Sequence, residues 1–386
     1  MMRFIPPGAT LGVMGGGQLG RMFVHAAQRM GYFTAVLDPD PASPAGLVAN
    51  YHIRSDYLDE QGLAQLMQRS AAITTEFENV PAHALVTLAA HRQVAPGPEA
   101  VAICQDRAAE KAHFRRCGVA CAEHALIATA TDLATIGNAL FPAILKTAQL
   151  GYDGKGQVHV NSRAALAAAW NELGGATCVL EQRLALAAEL SVIVARGVHG
   201  DAVYFPVQQN LHRQGILAVA FCPATTVPAP LEAEAIAAAL RLAQEMEYVG
   251  VLCVEFFVLK DGRLLANEMA PRPHNSGHAT IDSCDVSQFE LQVRTLTGAP
   301  LTTPRQHSPS VLLNLMGELW FRAADSQVPP DWASVLELPG THLHLYGKAS
   351  PRRGRKMGHL TVTAATPDQA HATALQAAQR LGIEAF

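Results

Sequence analysis

Two glutamates, Glu255 and Glu268, are spaced so that one hairpin would set them face to face. Apolar runs at 251–259 and 263–269 flank Asp261-Gly262, a dipeptide suited to a type I′ turn because both central residues need positive φ. With those two as the turn, Glu255 lies directly opposite Glu268, with Cβ atoms roughly 4.5–5.5 Å apart. Facing carboxylates inside an apolar sheet repel and lose hydration, so one keeps a proton or a cation sits between them. Mg²⁺ takes carboxylate oxygens, water and substrate phosphates, which makes the pair a candidate metal and nucleotide site. A slipped register would instead leave one glutamate in solvent. The loop that follows carries Arg272, His274, Asn275 and His278 among Pro271, Pro273 and Gly277, more donors than packing requires.

Further stretches have anion-binding chemistry. Lys146 ends an apolar strand ahead of a glycine-rich segment, QLGYDGKGQ at 149–157. It lacks the GKS or GKT ending of a P-loop, so a phosphate-covering flap is the better reading and a plain flexible hairpin the other. Residues 347–359, GKASPRRGRKMGH, bring together Lys348, Arg352, Arg353, Arg355 and Lys356, a cluster that one phosphate could occupy. A solvated basic loop is the alternative, and without interleaved aromatics nucleic acid is disfavoured. Gly15, Gly17 and Gly20 fit G-x-G-x-x-G between a strand and a helix. With Asp38 ending the next strand, the pattern suits a dinucleotide, or else an anion or small substrate at the helix N-terminus. TTEFENVP at 74–81 lies where a strand yields to a helix, the edge at which open α/β sheets bind ligands. Glu76 is nearer the strand end, whereas Glu78 could be a simple helix-start charge.

The elements that must position these residues follow from hydrophobic periodicity. Strands at 10–14, 34–37 and 72–75 alternate with helices at 21–30 and 81–91, the rhythm of a parallel, doubly wound sheet. Asp106 reads as the N-cap of a helix over 107–116. Strands at 143–146, 179–182, 189–195 and 215–221 and helices at 162–173 and 231–246 lead to the hairpin. At 386 residues, 49% hydrophobic and 16% charged, the chain is a folded one of two or three domains. A net charge of −4 argues against a general nucleic-acid or membrane-surface binder. Seven cysteines without a CxxC pair fit a reducing compartment and argue against zinc. With no signal-like apolar segment and no apolar run of the ~18 residues a membrane span needs, a cytoplasmic location is expected.

Together the motifs resemble the ATP-grasp superfamily and, within it, the N5-carboxyaminoimidazole ribonucleotide synthetase family. GGGQLGRM at 15–22, TTEFENVP at 74–81, GYDGKGQ at 151–157, Asn267-Glu268 with APRPHNSGH at 270–278, and GRKMGH at 354–359 stand in the family's order over nearly the whole chain. The resemblance implies a mixed α/β and α+β architecture. A doubly wound parallel-sheet domain over 1–100 precedes an ATP-grasp domain over 101–300, with a small lid at about 118–180, and a small C-terminal domain over 301–386. It implies ATP- and Mg²⁺-dependent carboxylation of 5-aminoimidazole ribonucleotide by bicarbonate, through carboxyphosphate, in a homodimer. The rivals are a formate-dependent glycinamide ribonucleotide transformylase and, from another class, an NAD(P)-dependent oxidoreductase built on 1–100.

By the same resemblance Glu255 and Glu268 hold Mg²⁺. Arg107, Lys146, Asn267 and the flap of Gly151, Tyr152, Asp153, Gly154, Lys155, Gly156 and Gln157 cradle the ATP phosphates. Glu181, Gln182, Arg183, Leu184, Glu189 and His212 match positions around adenine and ribose. Arg272, His274 and Asn275 are candidates for bicarbonate and carboxyphosphate, since an arginine fork with neutral donors suits a planar anion that gains charge. Lys348 and Arg355, with Arg352 as a third, would take the ribonucleotide 5′-phosphate, and Gln18, Leu19 and Glu76 its aminoimidazole and ribose. The glycine turn then binds substrate and no NAD is expected. Two positions depart from the family pattern: Gln149-Leu150, where many relatives have Gly-Gly, and Arg353, where proline is common.

Overall fold

The computed structural model describes residues 4–151, 156–321 and 327–386. Its first sheet has five parallel strands in the order Tyr51–Ile53, Phe33–Leu37, Thr10–Met14, Ala72–Thr75, Gln93–Val94. The strand order reverses beside Thr10–Met14, and Met14 pairs with Thr75 there. The glycine turn after one strand and Glu76 after the other therefore meet at the switch point, where open sheets bind ligands. The helix Gln18–Arg29 starts earlier than its apolar periodicity suggests and buries Leu19, Phe23, Val24 and Ala27 on this sheet.

A four-stranded antiparallel sheet follows, in the order His124–Ile127, Cys178–Gln182, Ala143–Thr147, Gln157–Val160. Leu166 and Ala169 of the helix Arg163–Glu172 seal it against Ile127, Leu145 and Leu180. The largest sheet has nine strands and runs from Leu264–Ala270 through Gly250–Leu259, Leu186–Arg196, Gln208–Arg213, Ile216–Cys222, Ser310–Met316 and Lys356–Thr363 to Thr341–Leu345, with Ala202–Tyr204 paired on Leu186–Arg196. Val219 pairs with Leu313, so the C-terminal strands extend the same sheet that carries the glutamate hairpin. Ala235, Ala239 and Leu242 of the helix Ala229–Glu245 pack on Leu190, Val192 and Leu252. Ala370, Ala374, Ala377 and Leu381 of Pro367–Leu381 cover the C-terminal end. The helix Gln288–Thr297 places Phe289, Val293 and Leu296 in the same core as Phe23 and Leu11, which joins the first sheet to the rest.

The hairpin corrects one expectation while keeping its consequence. Asp261 does not take positive φ; only Gly262 does, at +86°, and the Leu259 amide bonds to the Arg263 carbonyl. The connection is a three-residue loop, Lys260 to Gly262, in place of the type I′ turn, with the Asp261 carboxylate accepting from the Arg263 amide. That shifts the register by one, pairing Phe256 with Ala266. A β-bulge at Asn267 shifts it back, and Glu255 stands opposite Glu268 as expected.

Candidate active site

A cavity of about 1010 Å³ opens where the three sheets converge. Gln18, Leu19 and Glu76 line one wall, and Arg107, Lys146, Gly151 and Gln157 another. Glu189, His212, Glu255, Asn267, Glu268, Arg272, His274 and Asn275 also line the cavity, as do Lys348 and Arg355. Glu181, Gln182, Arg183, Leu184, Gly156 and Arg352 are not among the lining residues. Tyr152, Asp153, Gly154 and Lys155 of the flap lie outside the described residues.

The facing glutamates are electrostatically unequal. Burial and the charge on Glu268 push Glu255 up to about 7, against the pull of His212. Glu268 opens to the cavity, and although burial works against its charge, Arg107 at 3.0 Å and Lys146 hold it below the usual carboxylate value. The Asn267 side-chain oxygen is buried without a hydrogen-bond partner among the described residues. Two carboxylates facing one another beside an unmet amide oxygen form an all-oxygen donor set, which fits Mg²⁺.

Helix Arg107–Arg116 holds this geometry from behind. Asp106 caps it by accepting from the Ala108 and Ala109 amides. Its Lys111, 1% exposed, donates to the Asn267 carbonyl at 2.7 Å, and Glu110 accepts the Met269 amide. These two bonds clamp the bulge on both sides. Burial and the nearby Glu268 raise Glu110 to about 8, despite Lys111 and Arg107. Glu110 and Lys111 are absent from the sequence expectations, yet a signal existed. With Arg107 they fall at i, i+3 and i+4, three charges on one helical face that turns inward.

Lys146 and Lys111 converge on Glu181, at 2.9 and 3.5 Å. Burial alone would raise that carboxyl, but the two lysines and Arg107 bring it down to about 2. Glu181 therefore fixes Lys146 at the cavity wall through charge. The next two residues are held by backbone bonds, Gln182 to the Glu123 carbonyl and Arg183 to that of Pro142.

In the donor-rich loop, Arg272 pairs with Glu78 at 2.6 Å. Helix Ala82–Ala89 begins too late for Glu78 to be a first-turn charge. The Ser276 amide donates to His274 Nδ1 at 3.4 Å, and since an amide only donates, the ring proton sits on Nε2, 3.4 Å from Glu255. Burial, reinforced by Arg272 and Lys356, keeps His274 neutral. His212 lies 2.5 Å from Glu189 and 4.0 Å from Glu255; burial lowers it, but the carboxylates prevail and raise it. Asn275 differs from its expected role. Its amide nitrogen donates to Asn314 Oδ1 and its oxygen accepts from Asn314 Nδ2, so both polar ends are engaged within the protein. Asn275 anchors the loop to strand Ser310–Met316, a pairing that sequence could not reveal.

At the switch point the Glu76 carboxylate accepts from the Gly17 amide at 3.0 Å and the Gly20 amide at 3.2 Å, while Asp38 accepts from Gly16 and from the Tyr57 hydroxyl. A Cβ on Gly17 would stand 2.5 Å from Glu76 Oε1, which explains the glycine. The amides a dinucleotide pyrophosphate would need are thus taken by side chains, and Asp38 is turned onto the turn itself. In the basic segment Arg355 and Lys348 face the cavity, held by the Ser350 and Lys356 carbonyls. Arg352 and Arg353 are exposed, the latter over the Phe321 ring.

Comparison with known proteins identifies the family. The family model of the ribonucleotide synthetase preATP-grasp domain matches residues 8–105, that of the ATP-grasp domain 112–289, and that of the phosphoribosylaminoimidazole carboxylase C-terminal domain 310–373. The N5-carboxyaminoimidazole ribonucleotide synthases of Bacillus subtilis and Brucella melitensis are 40% and 44% identical, over 93% and 92% of this chain and 92% and 97% of theirs. An ADP complex of an N5-carboxyaminoimidazole ribonucleotide synthetase superposes with a TM-score of 0.90 at 38% identity, covering 98% of both chains. The Aspergillus clavatus synthase with ADP and 5-aminoimidazole ribonucleotide gives 0.88 at 30%, covering 97% and 98%. The fold is that of an ATP-grasp enzyme, an ATP-dependent ligase. Within that class the chain belongs to the N5-carboxyaminoimidazole ribonucleotide synthase family, whose place is in purine biosynthesis. The formyl-phosphate alternative is not favoured.

Proposed function

We propose that ATP-dependent carboxylation of 5-aminoimidazole ribonucleotide runs through this cavity as two successive transfers, with the residues divided as follows. The reading rests above all on the opposed pair Glu255 and Glu268, which line one cavity with Arg107, Lys146, Lys348 and Arg355. ATP lies along the Arg107 and Lys146 side, its phosphates met by Arg107, Lys146 and the flap and its ribose by Glu189 and His212. Glu255, Glu268 and the Asn267 side-chain oxygen would hold Mg²⁺, which would supply charge neutralisation to the phosphoryl oxygens.

Bicarbonate sits against Arg272, whose fork Glu78 orients, and the Nε2–H of neutral His274. A bicarbonate oxygen attacks the γ-phosphorus and the bond to ADP breaks, giving carboxyphosphate. The substrate amine then attacks the carboxyl carbon, inorganic phosphate leaves and a proton is lost, giving the carbamate. Such chemistry needs alignment and charge neutralisation more than a protein nucleophile. Lys348 and Arg355 take the ribonucleotide phosphate, and Gln18, Leu19 and Glu76 its other end. The 118–180 segment is the small lid of the ATP-grasp unit. No helix among the described residues is long and apolar enough to cross a membrane. By the family resemblance we propose a cytoplasmic homodimer.

Bicarbonate labelled with ¹⁸O tests the intermediate. Transfer of one label into the released phosphate is expected. Label-free phosphate, with full carboxylation, would show that bicarbonate is never phosphorylated.

A further inference from the structure

Behind the cavity wall lies a second cluster that the reaction does not use. His342 and His344 lie two apart on strand Thr341–Leu345, hence on one face, and His344 pairs across the sheet with His359 of Lys356–Thr363. Asp282, from the short helix Thr280–Ser283, approaches the same face. Its carboxylate is 2.9 Å from His344 Nε2 and 3.8 Å from His342 Nδ1. One donor atom each from Asp282, His344 and His359 lies within 4.8 Å of the others. His359 is fully buried; its Nδ1 is engaged by the Tyr346 hydroxyl at 3.0 Å, and its Nε2 has no hydrogen-bond partner among the described residues. A buried ring nitrogen left unmet beside a carboxylate and a second imidazole is costly unless something binds it.

We infer that Asp282, His344 and His359 form a binding site for a zinc-like divalent transition-metal ion, with His342 as a fourth donor. Two ligands about 2.0–2.1 Å from one ion can stand about 3 Å apart, the spacing Asp282 and His344 already have. His359, stacked on His344 with ring centroids 4.5 Å apart, has to tilt out of that stack to bring its nitrogen into the same shell, and His342 offers Nδ1 at 3.8 Å from Asp282 while its Nε2 engages the Thr363 hydroxyl. Three imidazoles and a carboxylate favour a borderline ion over Mg²⁺. The Tyr346 hydroxyl on His359 Nδ1 fixes that ring's orientation, as the outer partners of metal-bound histidines do. Cysteine spacing argues against zinc, but these donors are nitrogen and oxygen, spread over segments remote in sequence. The site is separate from the glutamate pair and asks nothing of the ligase reaction.

The test is equilibrium dialysis of untagged protein against Zn²⁺, and separately Co²⁺, in excess Mg²⁺, with metal content measured by mass spectrometry. About one equivalent per chain is expected, retained when Glu255→Gln and Glu268→Gln are combined, and weakened by more than about tenfold in Asp282→Asn and His344→Gln. His342→Gln, at a partly exposed strand position, guards against misfolding; it should shift the visible bands of bound Co²⁺. Wild type that retains no Zn²⁺, an equivalent that survives in Asp282→Asn/His344→Gln, or a Co²⁺ spectrum and affinity indifferent to His342→Gln would overturn the assignment.

Discussion

Replacing Lys111 with methionine keeps the aliphatic stem and removes only the ammonium. That group donates to the Asn267 carbonyl at 2.7 Å and lies 3.5 Å from Glu181, in a position 1% exposed. Losing a charge-assisted hydrogen bond to a buried carbonyl costs about 1.5–3 kcal/mol. The fall of Glu181 from 4.5 to about 2 corresponds to about 3 kcal/mol of favourable interaction with its partners, net of its burial. Lys146, closer at 2.9 Å, keeps the larger share of that. The lysine's own desolvation is relieved on substitution, so a net loss of about 2–3 kcal/mol is expected, a melting decrease of about 3 °C. Because the Glu181 carboxyl lies below its unfolded value, its contribution is complete above pH 4.5 and is lost as pH falls through about 2. The gap between wild type and Lys111→Met should therefore be constant from neutrality to about pH 4.5 and narrow below it. With the bulge freed on one side, Glu268 loses its alignment and kcat for ADP release should fall by at least about tenfold. Melting curves at several pH values, with steady-state ADP release at pH 7, read both effects. Wild-type melting together with wild-type turnover would refute the idea that Lys111 clamps the bulge.

The glutamates themselves give a stronger effect on activity: Glu255→Gln and Glu268→Gln should each abolish ADP release with circular dichroism unchanged, and turnover in both would exclude them as metal ligands. Because Glu255 is raised to about 7, it is mostly protonated at pH 6 and must release its proton when Mg²⁺ binds. Calorimetry in buffers of differing ionisation enthalpy should find close to one proton released at about pH 6 and almost none at about pH 8.5. Lys348→Ala and Arg355→Ala should raise the KM for the ribonucleotide far more than that for ATP, whereas Arg352→Ala, outside the cavity, should leave both within about twofold. Glu76→Gln would turn one amide N–H against those of Gly17 or Gly20, so a stability loss of about 1–3 kcal/mol is expected in urea unfolding.

What sequence could and could not reveal is clearest at the hairpin. Placing Glu255 opposite Glu268 from Asp261-Gly262 required a two-residue turn and an unbroken ladder, and neither exists. The three-residue loop moves the register one way and the Asn267 bulge moves it back, so the pairing near the turn is shifted while the pairing at the glutamates is as expected. The loop follows local preference, since only Gly262 takes positive φ. The bulge does not, because its partners, Lys111 on the Asn267 carbonyl and Glu110 on the Met269 amide, come from a helix 156 and 159 positions earlier. The same division holds elsewhere. Strands, the Asp106 cap and the glycine turn were legible because their causes are local. The engagement of Asn275 with Asn314 and of Glu76 with the turn amides was not, because each is settled by which side chain arrives from a distant segment. A bulge held by a buried lysine and a raised glutamate costs the fold stability, and an unbroken hairpin would avoid that cost. Its retention is understandable if the extra residue is what turns Glu268 onto the face of Glu255, so that the feature sequence could not show is the one on which the opposed carboxylates depend.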